Sequence, residues 1–279
     1  MPNPERVSIH GCHSREFCGH ADDTLADILQ EYADQEYRWV GVTEHMPVDT
    51  MAYMPSEEAE AGLTVATLNE RFDRYAQSAR GLKSELAGRL DVIFGFETEV
   101  YPGYKNQLDR LLDVHQPEYI VGSVHFLNGL GIDSSPEKLQ KNAAQVGGFD
   151  VLYNQYFDTQ LELIERYSPR VIGHFDLIRL FDANYERHMD VPDVWERIER
   201  NLHVIKERDA ILDFNIAAIR KGLSEPYPCE RITRLALEMG IPLVPGEDAH
   251  NTESVGMNRD RAVEGLVSLG GSTDWRRPV

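Results

Sequence analysis

VSIHGCHSREFCGH, residues 7–20, joins a short apolar run to three histidines and two cysteines, which are His10, His13, His20, Cys12 and Cys18. The apolar run favours a β-strand, and side chains at the exit of a strand converge on whatever lies beyond it. Neutral imidazoles clustered at such a point suit a divalent metal better than a packed core. The stretch therefore predicts a strand that ends at a metal site.

The same order, a short β-rich run followed by a histidine or an acid, recurs along the chain. Further runs lie at residues 39–43, 92–96, 119–124, 171–173, 210–214 and 241–245. They lead to polar or metal-capable residues, in order Glu44 and His45, Glu97 and Glu99, His125, His174 and Asp176, Asn215, and Glu247, Asp248 and His250. Packing explains most single histidines, whereas this many strand ends of one kind are hard to attribute to chance.

Segments with helical spacing of apolar residues separate these strands. They are predicted near residues 25–33, 68–86, 151–167, 191–208, 228–239 and 259–269, and residues 46–62 are predicted to form a long acidic loop. Strands that alternate with helices imply parallel βα units. A chain of 279 residues can form one α/β barrel. We therefore predict an α/β barrel over residues 1–279 as a single domain, with its active site at the carboxyl ends of the strands.

The composition of the chain limits the kinds of molecule that the protein is expected to bind. The formal net charge of −19 disfavours binding to nucleic-acid phosphates, so no nucleic-acid partner is expected. No apolar segment is long enough to span a bilayer, and the first ten residues lack the basic and apolar parts of a secretory signal. Cys12, Cys18 and Cys229 match no disulfide framework and are expected to be buried free thiols. We expect a cytoplasmic protein without a membrane partner; composition does not predict its oligomeric state.

Six motifs in chain order resemble the polymerase and histidinol phosphatase (PHP) superfamily, above all its histidinol-phosphate phosphatase branch. They are Phe17-Cys18-Gly19-His20-Ala21, Gly41-Val42-Thr43-Glu44-His45, Gly95-Phe96-Glu97, Gly122-Ser123-Val124-His125-Phe126, Gly173-His174-Phe175-Asp176 and Gly246-Glu247-Asp248-Ala249-His250. The resemblance covers residues 8–255. It implies a distorted (β/α)7 TIM-like barrel that holds two or three divalent ions, which could be zinc, manganese or iron.

The resemblance also implies which residues bind each ion. Residues for the first ion are Glu97, Asp248, His10 and His13; for the second, bridged by Glu97, they are His125 and His174; for the third, they are His20, His45 and His250. The first motif departs from the H-x-H of the family, because Gly11 and Cys12 separate its two histidines. Either a bulge at Gly11 brings His10 and His13 together, or one of them alone is a ligand.

A metal-dependent phosphomonoester hydrolase is the function that the resemblance implies. Its expected reaction converts L-histidinol phosphate and water to L-histidinol and phosphate, a step of histidine biosynthesis. Glu97 and Asp248 are predicted catalytic residues because clustered ions would activate water and neutralise the phosphoryl oxygens. Arg179 and Arg220 match phosphate-binding positions, which suits a bidentate guanidinium. The proton for the leaving group would come from Asp176 or from a metal-bound water.

Two alternatives stay open from the sequence. The same ions could serve another small phosphoester, such as a different phosphomonoester, a cyclic phosphodiester or a nucleotide. The substrate-side segments, residues 46–62 and 128–148, carry no pattern that decides among these substrates. Alternatively, the altered first motif could have left a metal-binding regulatory module without catalysis.

Overall fold

A computed structural model describes residues 4–279, in which a barrel of parallel strands is surrounded by helices. The strands are β1 (Arg6–Cys12), β2 (Tyr37–Val42), β3 (Asp91–Glu97), β4 (Tyr119–Gly122), β5 (Phe126–Leu127), β6 (Leu130–Gly131), β7 (Val171–Ile172), β8 (Ile211–Asn215) and β9 (Leu243–Gly246). The helices are α1 (Leu25–Asp34), α2 (Ser56–Glu60), α3 (Val65–Glu85), α4 (Tyr104–His115), α5 (Pro136–Val146), α6 (Phe149–Tyr167), α7 (Tyr185–Met189), α8 (Pro192–Glu207), α9 (Ala217–Arg220), α10 (Glu230–Glu238) and α11 (Arg259–Ser268).

Seven of these strands form one parallel sheet in the order β1-β2-β3-β4-β7-β8-β9. The two edges, β1 and β9, meet through backbone hydrogen bonds. The carbonyl of His10 accepts from the amides of Glu247 and Asp248 at 2.9 and 2.8 Å, and the carbonyl of Gly11 accepts from Ala249 at 2.7 Å. These contacts nearly close the barrel, so the predicted α/β barrel is confirmed.

Burial on both sides explains why the strands read as nearly continuous apolar runs. Every residue of β3 after Asp91 is buried, and so is every residue of β8. One side of a barrel strand faces the filled interior, and the other side is covered by the apolar faces of the helices.

The bulge in β1, one of the two alternatives for the first motif, is present in the structure. Ser8 lies opposite Val40 and Cys12 lies opposite Val42, so β1 advances four residues while β2 advances two. A Cβ at Gly11 would lie 2.2 Å from the carbonyl oxygen of Gly41, which no side chain could tolerate. Glycine is therefore required where the bulged strand presses against its neighbour.

The structure contains elements that the sequence pattern did not predict, namely the longer helices α4 and α5 and several short elements. The predicted loop at residues 46–62 contains a 3-10 turn, Met51–Tyr53, and helix α2. The segment at residues 128–148 contains the turn and the second strand of the antiparallel β5–β6 hairpin, and then helix α5. Elements of two to five residues are too short to show a periodic pattern, which is why the sequence did not reveal α2 or the hairpin.

Two aspartates, Asp22 and Asp23, come just before α1, but neither of them caps the helix. Thr24 caps this helix, accepting from the amide of Asp27. Asp23 instead accepts hydrogen bonds from the amide and hydroxyl of Thr252, at 2.7 and 2.8 Å. This carboxylate therefore ties the segment before α1 to the segment after β9.

Among residues 4–279, no helix has the length and apolar character that crossing a bilayer requires.

Candidate metal centre

The carboxyl ends of the barrel strands bring every predicted metal ligand into one cluster. In a parallel barrel all strands run the same way, so the residues that follow them meet at one rim. The cluster, which we call the histidine–acid cluster, contains His10, His13, His20, His45, Glu97, His125, His174, Asp248 and His250.

Glu97 lies at the middle of this cluster, and five imidazoles surround its carboxylate. Oε1 is 2.9 Å from Nε2 of His174 and 3.5 Å from Nε2 of both His10 and His125. Oε2 is 3.0 Å from Nδ1 of His45 and 3.7 Å from Nε2 of His13. Since its two oxygens face different histidines, this carboxylate has the arrangement of a group that bridges two ions.

Electrostatics keep Glu97 ionised although it is almost fully buried. Burial by itself would raise the pKa of this carboxyl, but the surrounding imidazoles, above all His10 and His125, hold it well below its usual range. The same balance applies to Asp248, where burial is outweighed by His13, by Lys221 and by other nearby histidines. Both acids are therefore present as carboxylates, the form that binds metal.

The bulge in β1 brings both of its histidines to the cluster. One ring nitrogen each of His10 and His13 and one oxygen of Glu97 lie within 4.8 Å of one another. Nε2 of His13 is also 3.2 Å from Oδ1 of Asp248. The geometry thus favours the alternative in which both histidines of the altered first motif face one ion.

A carboxylate behind His10 fixes the orientation of its ring. Oδ2 of Asp213, on β8, is 2.9 Å from Nδ1 of His10, and it also accepts from the side-chain amide of Asn215 at 2.9 Å. With the Nδ1 proton directed at Asp213, Nε2 is left to face Glu97. Such carboxylate–histidine pairs set the tautomer of metal-binding imidazoles. The sequence analysis did not single out Asp213, because it lies within a strand and precedes its exit.

A second group of donors forms around His125 on the other side of Glu97. Its Nε2 lies 3.2 Å from Nε2 of His174, and its Nδ1 lies 3.0 Å from Oε2 of Glu99. The other oxygen of Glu99 is 2.8 Å from Nδ1 of His45. Burial would raise the pKa of Glu99, but His125 and His45 lower it to about 2. The sequence analysis left Glu99 out of the ligand set, although its position two residues after Glu97 places it on the same strand face.

A third group lies nearer to the opening. The ring of His13 stacks between those of His45 and His250, with centroids 4.1 and 4.6 Å apart, and His20 stacks on His250 at 4.8 Å. Burial lowers the pKa of His20 to about 4 and also lowers that of His250. These two rings are therefore neutral at pH 7, and the neutral imidazole is the form that ligates metal.

Many polar atoms of the cluster are buried without a hydrogen-bond partner. They include Nε2 of His10, both ring nitrogens of His13, Nδ1 of His45, Oε1 of Glu97 and Oε2 of Glu44. A buried donor or acceptor without a partner costs free energy, so native proteins rarely leave one unmatched. Imidazoles and carboxylates that point at common centres fit divalent cations, which would satisfy these atoms together.

A cavity of about 620 Å³ opens directly above the cluster. Its walls come from residues 46–58, the first turns of α3, and the β5–β6 hairpin with the residues that follow it. Its outer part carries charges of both signs, from Arg71, Lys138, Lys221, Glu57, Glu58 and Asp133. The volume suits a small molecule that reaches the cluster from solvent.

Asp176 and Arg179, predicted from sequence as proton donor and phosphate clamp, do not line this cavity. Arg179 is only 1 % exposed, and it donates through Nε to Oδ2 of Asp176 at 2.9 Å and through Nη2 to the carbonyl of Pro226 at 2.6 Å. Its guanidinium also lies over the ring of Tyr227. The fold places this pair inside the protein because the loop after β7 turns inward, which no local sequence pattern reveals.

Arg220, the other predicted clamp, supports the backbone after β9. Its Nη1 and Nη2 donate to the carbonyls of Glu247 and Asp248, both at 2.8 Å. Asp248 has a φ of 49°, a left-handed conformation that is uncommon for a residue with a side chain. The neighbouring Lys221 does line the cavity, with Nζ 3.9 Å from Oδ2 of Asp248. Lys221 was not among the residues predicted from sequence, because a lysine in a loop carries no distinguishing pattern.

Comparison with known proteins gives concordant results. Residues 10–217 match the model of the PHP domain family. A Schizosaccharomyces pombe protein named "Probable histidinol-phosphatase" is 37 % identical over 269 residues, which cover 95 % of this chain and 87 % of that protein.

Two solved structures share the fold. A Listeria monocytogenes protein described as the "putative histidinol phosphatase hisK" superposes with a TM-score of 0.80 at 26 % identity, covering 92 % of this chain and 99 % of that one. Histidinol phosphate phosphatase of Lactococcus lactis, solved with zinc, L-histidinol and phosphate, gives 0.65 at 13 % identity, covering 98 % and 95 %.

Proposed function

This chain belongs to the PHP domain family, and from that premise we propose that it is a metal-dependent phosphatase that hydrolyses L-histidinol phosphate to L-histidinol and phosphate. The observation that carries the proposal is Glu97, a buried carboxylate held among five imidazoles beneath an open cavity. The choice of substrate rests on the relative that is 37 % identical over nearly the whole chain.

The proposed ligands form three groups around Glu97. We assign His10, His13 and Asp248 with Glu97 to one ion, His125 and His174 with Glu97 to a second, and His20, His45 and His250 to a third. The clustered unpartnered atoms support this assignment. When bound, such ions activate water for in-line attack at phosphorus and stabilise the charge on the phosphoryl oxygens. Zinc is the ion seen in the Lactococcus lactis relative, and manganese or iron would suit the same donors.

The remaining polar residues keep these ligands in place. One oxygen of Glu99 is hydrogen-bonded to Nδ1 of His125 at 3.0 Å and the other lies 2.8 Å from Nδ1 of His45, so this carboxylate orients two rings of neighbouring groups. Asp213 does the same for His10. Because these carboxylates fix the tautomer and direction of each ring, little reorganisation is needed when substrate arrives.

We place the phosphate of the substrate between the cluster and Lys221. The ammonium of Lys221 reaches the cavity, whereas Arg220 uses two N–H groups to hold the carbonyls beside Asp248. Arg220 would still have further N–H donors for a phosphate oxygen, as its position in the sequence suggests. Asp176 and Arg179, buried and bonded to each other, are better suited to hold the loop that carries His174.

Lys221→Ala should weaken inhibition by free phosphate about ten- to a hundredfold while leaving metal content unchanged. A charge-assisted contact of this kind contributes roughly 1.5–3 kcal/mol. Lys141→Ala, which removes an exposed lysine of α5, is the matched control. Unaltered phosphate inhibition in the Lys221 variant would remove this residue from the phosphate site.

Arg220→Ala distinguishes two possible roles of the Arg220 guanidinium, contact with the phosphate and support of the backbone at Asp248. Weaker phosphate inhibition with a full metal load would support a direct contact with the substrate. Loss of metal would instead show that Arg220 acts by holding Asp248 in its left-handed conformation.

An assay with a panel of phosphoesters tests the function itself. Protein supplied in turn with zinc, manganese and iron should hydrolyse L-histidinol phosphate with a higher kcat/KM than other phosphomonoesters, cyclic phosphodiesters or nucleotides. A better substrate elsewhere in the panel would overturn the choice of substrate. No hydrolysis with any of the three metals would favour a regulatory metal-binding module.

A further inference from the structure

Cys18 lies among imidazole nitrogens at the outer end of the histidine–acid cluster. Its Sγ is 3.4 Å from Nδ1 and 3.3 Å from Nε2 of His20. Sγ and one ring nitrogen each of His13, His45 and His250 lie within 4.8 Å of one another. Donor atoms around a tetrahedral zinc are roughly 3.3–3.8 Å apart, given bond lengths of 2.0–2.3 Å. The contacts of Sγ with His20 already have this separation, and the wider group needs to close by about an ångström.

A cysteine can also serve simply as a small apolar side chain that fills the core, and this explanation fits the other two cysteines better. Cys12 lies within β1, where neighbouring strand residues are buried, and Sγ of Cys229 faces the sulfur of Met189 at 4.0 Å. Cys18 also lines the cavity, unlike either of them. Its sulfur is therefore placed where an ion could reach it.

An independent observation indicates that a ligand belongs at this place. His13 is fully buried, yet neither of its ring nitrogens has a hydrogen-bond partner. Its ring is stacked between His45 and His250, two members of the same group. The inner ion assigned to His13 would satisfy one of these nitrogens, so the other is still without a partner beside the outer group unless a ligand also binds there.

We propose that the thiolate of Cys18 is a fourth ligand of the outer ion, together with His20, His45 and His250. The Nδ1 atoms of two of these rings point away from the ion: Nδ1 of His45 lies 3.0 and 2.8 Å from oxygens of Glu97 and Glu99, and Nδ1 of His250 lies 2.9 Å from the carbonyl of Asp248. Their Nε2 atoms are thereby left for the ion. The inference rests on the proposed function only in requiring that divalent ions bind.

A sulfur ligand makes the outer position different in kind from the two inner ones. Three nitrogens and one thiolate form a closed tetrahedral set, which is typical of zinc, whereas the carboxylate-rich inner groups also suit harder ions. The negative sulfur also offsets cation charge at a position that has no carboxylate of its own. The outer ion would then be held more selectively than the inner ions.

Cobalt substitution tests the assignment on the full-length protein. Metal is exchanged for Co²⁺ alone, and the near-ultraviolet absorption is recorded with the number of ions bound per chain. A thiolate-to-cobalt charge-transfer band should appear in the wild type, disappear in Cys18→Ser, and persist in Cys12→Ser and Cys229→Ser. The outermost Co²⁺ should bind at least about tenfold more weakly to Cys18→Ser.

The wild-type spectrum decides the question even if a variant fails to fold. A protein that carries two or three Co²⁺ without the sulfur band refutes the role of Cys18, as does a band that persists in Cys18→Ser. Hydrolysis of histidinol phosphate by that same preparation would leave the proposed function standing. Absence of hydrolysis with zinc, manganese and iron, in a protein whose cobalt form shows the band, would overturn the function and keep the sulfur ligand.

Discussion

Glu97→Gln is expected to abolish most phosphatase activity, by orders of magnitude, together with loss of one or two metal ions per chain. Both oxygens of Glu97 face imidazoles, three around Oε1 and two around Oε2. Glutamine preserves size and shape but removes the negative charge, and its amide nitrogen cannot ligate a cation. Without the negative charge of the carboxylate, the positive charges of the two neighbouring ions are no longer offset, so both ions bind much more weakly.

Elemental analysis and single-substrate kinetics measure this effect. Glu57→Gln, on the outer wall of the same cavity, is the matched control and should keep its metals. Glu99→Gln should give an intermediate loss, since Glu99 contacts His45 and His125 but is farther from the middle of the cluster. A Glu97→Gln protein with a full metal load and unaltered rate would refute the bridging role.

Asp213→Asn is expected to lower metal affinity by about ten- to a hundredfold, the usual cost of losing a carboxylate behind a metal-binding histidine. Asn can present its NH₂ group to Nδ1 of His10, which would favour the tautomer whose proton faces Glu97. The fit is also tight, because a Cβ at Gly246 would lie 1.9 Å from Oδ1 of Asp213. His10 therefore has little room to adopt another orientation.

Competition with a coloured chelator gives the affinity of the Asp213→Asn protein for Zn²⁺. Asp158→Asn, which changes a surface carboxylate paired with Arg197 and Arg200, serves as the control. Equal chelator competition in the wild type and in Asp213→Asn would show that the orientation of His10 does not depend on this carboxylate.

The barrel and the central ligands could be predicted from the sequence by itself. Six of the seven β-rich runs lead to a histidine or an acid, and parallel strands bring their carboxyl ends to one rim whatever the details of packing. The convergence of His45, Glu97, His125, His174 and Asp248 thus follows from order along the chain. The bulge was one of two alternatives at the first motif, and Gly11 was the residue that allowed it.

The tertiary structure alone decided how the polar residues around that rim are used. Asp213 and Lys221 act across elements distant in sequence, and Arg179 and Asp176 turn inward together. Such choices depend on loop paths, side-chain rotamers and the closure of β1 against β9, all of which are set by packing of the whole barrel. The pattern of strands in the sequence predicts which residues lie at the end of each strand. Which buried atoms their side chains contact is determined by the neighbours that pack against them.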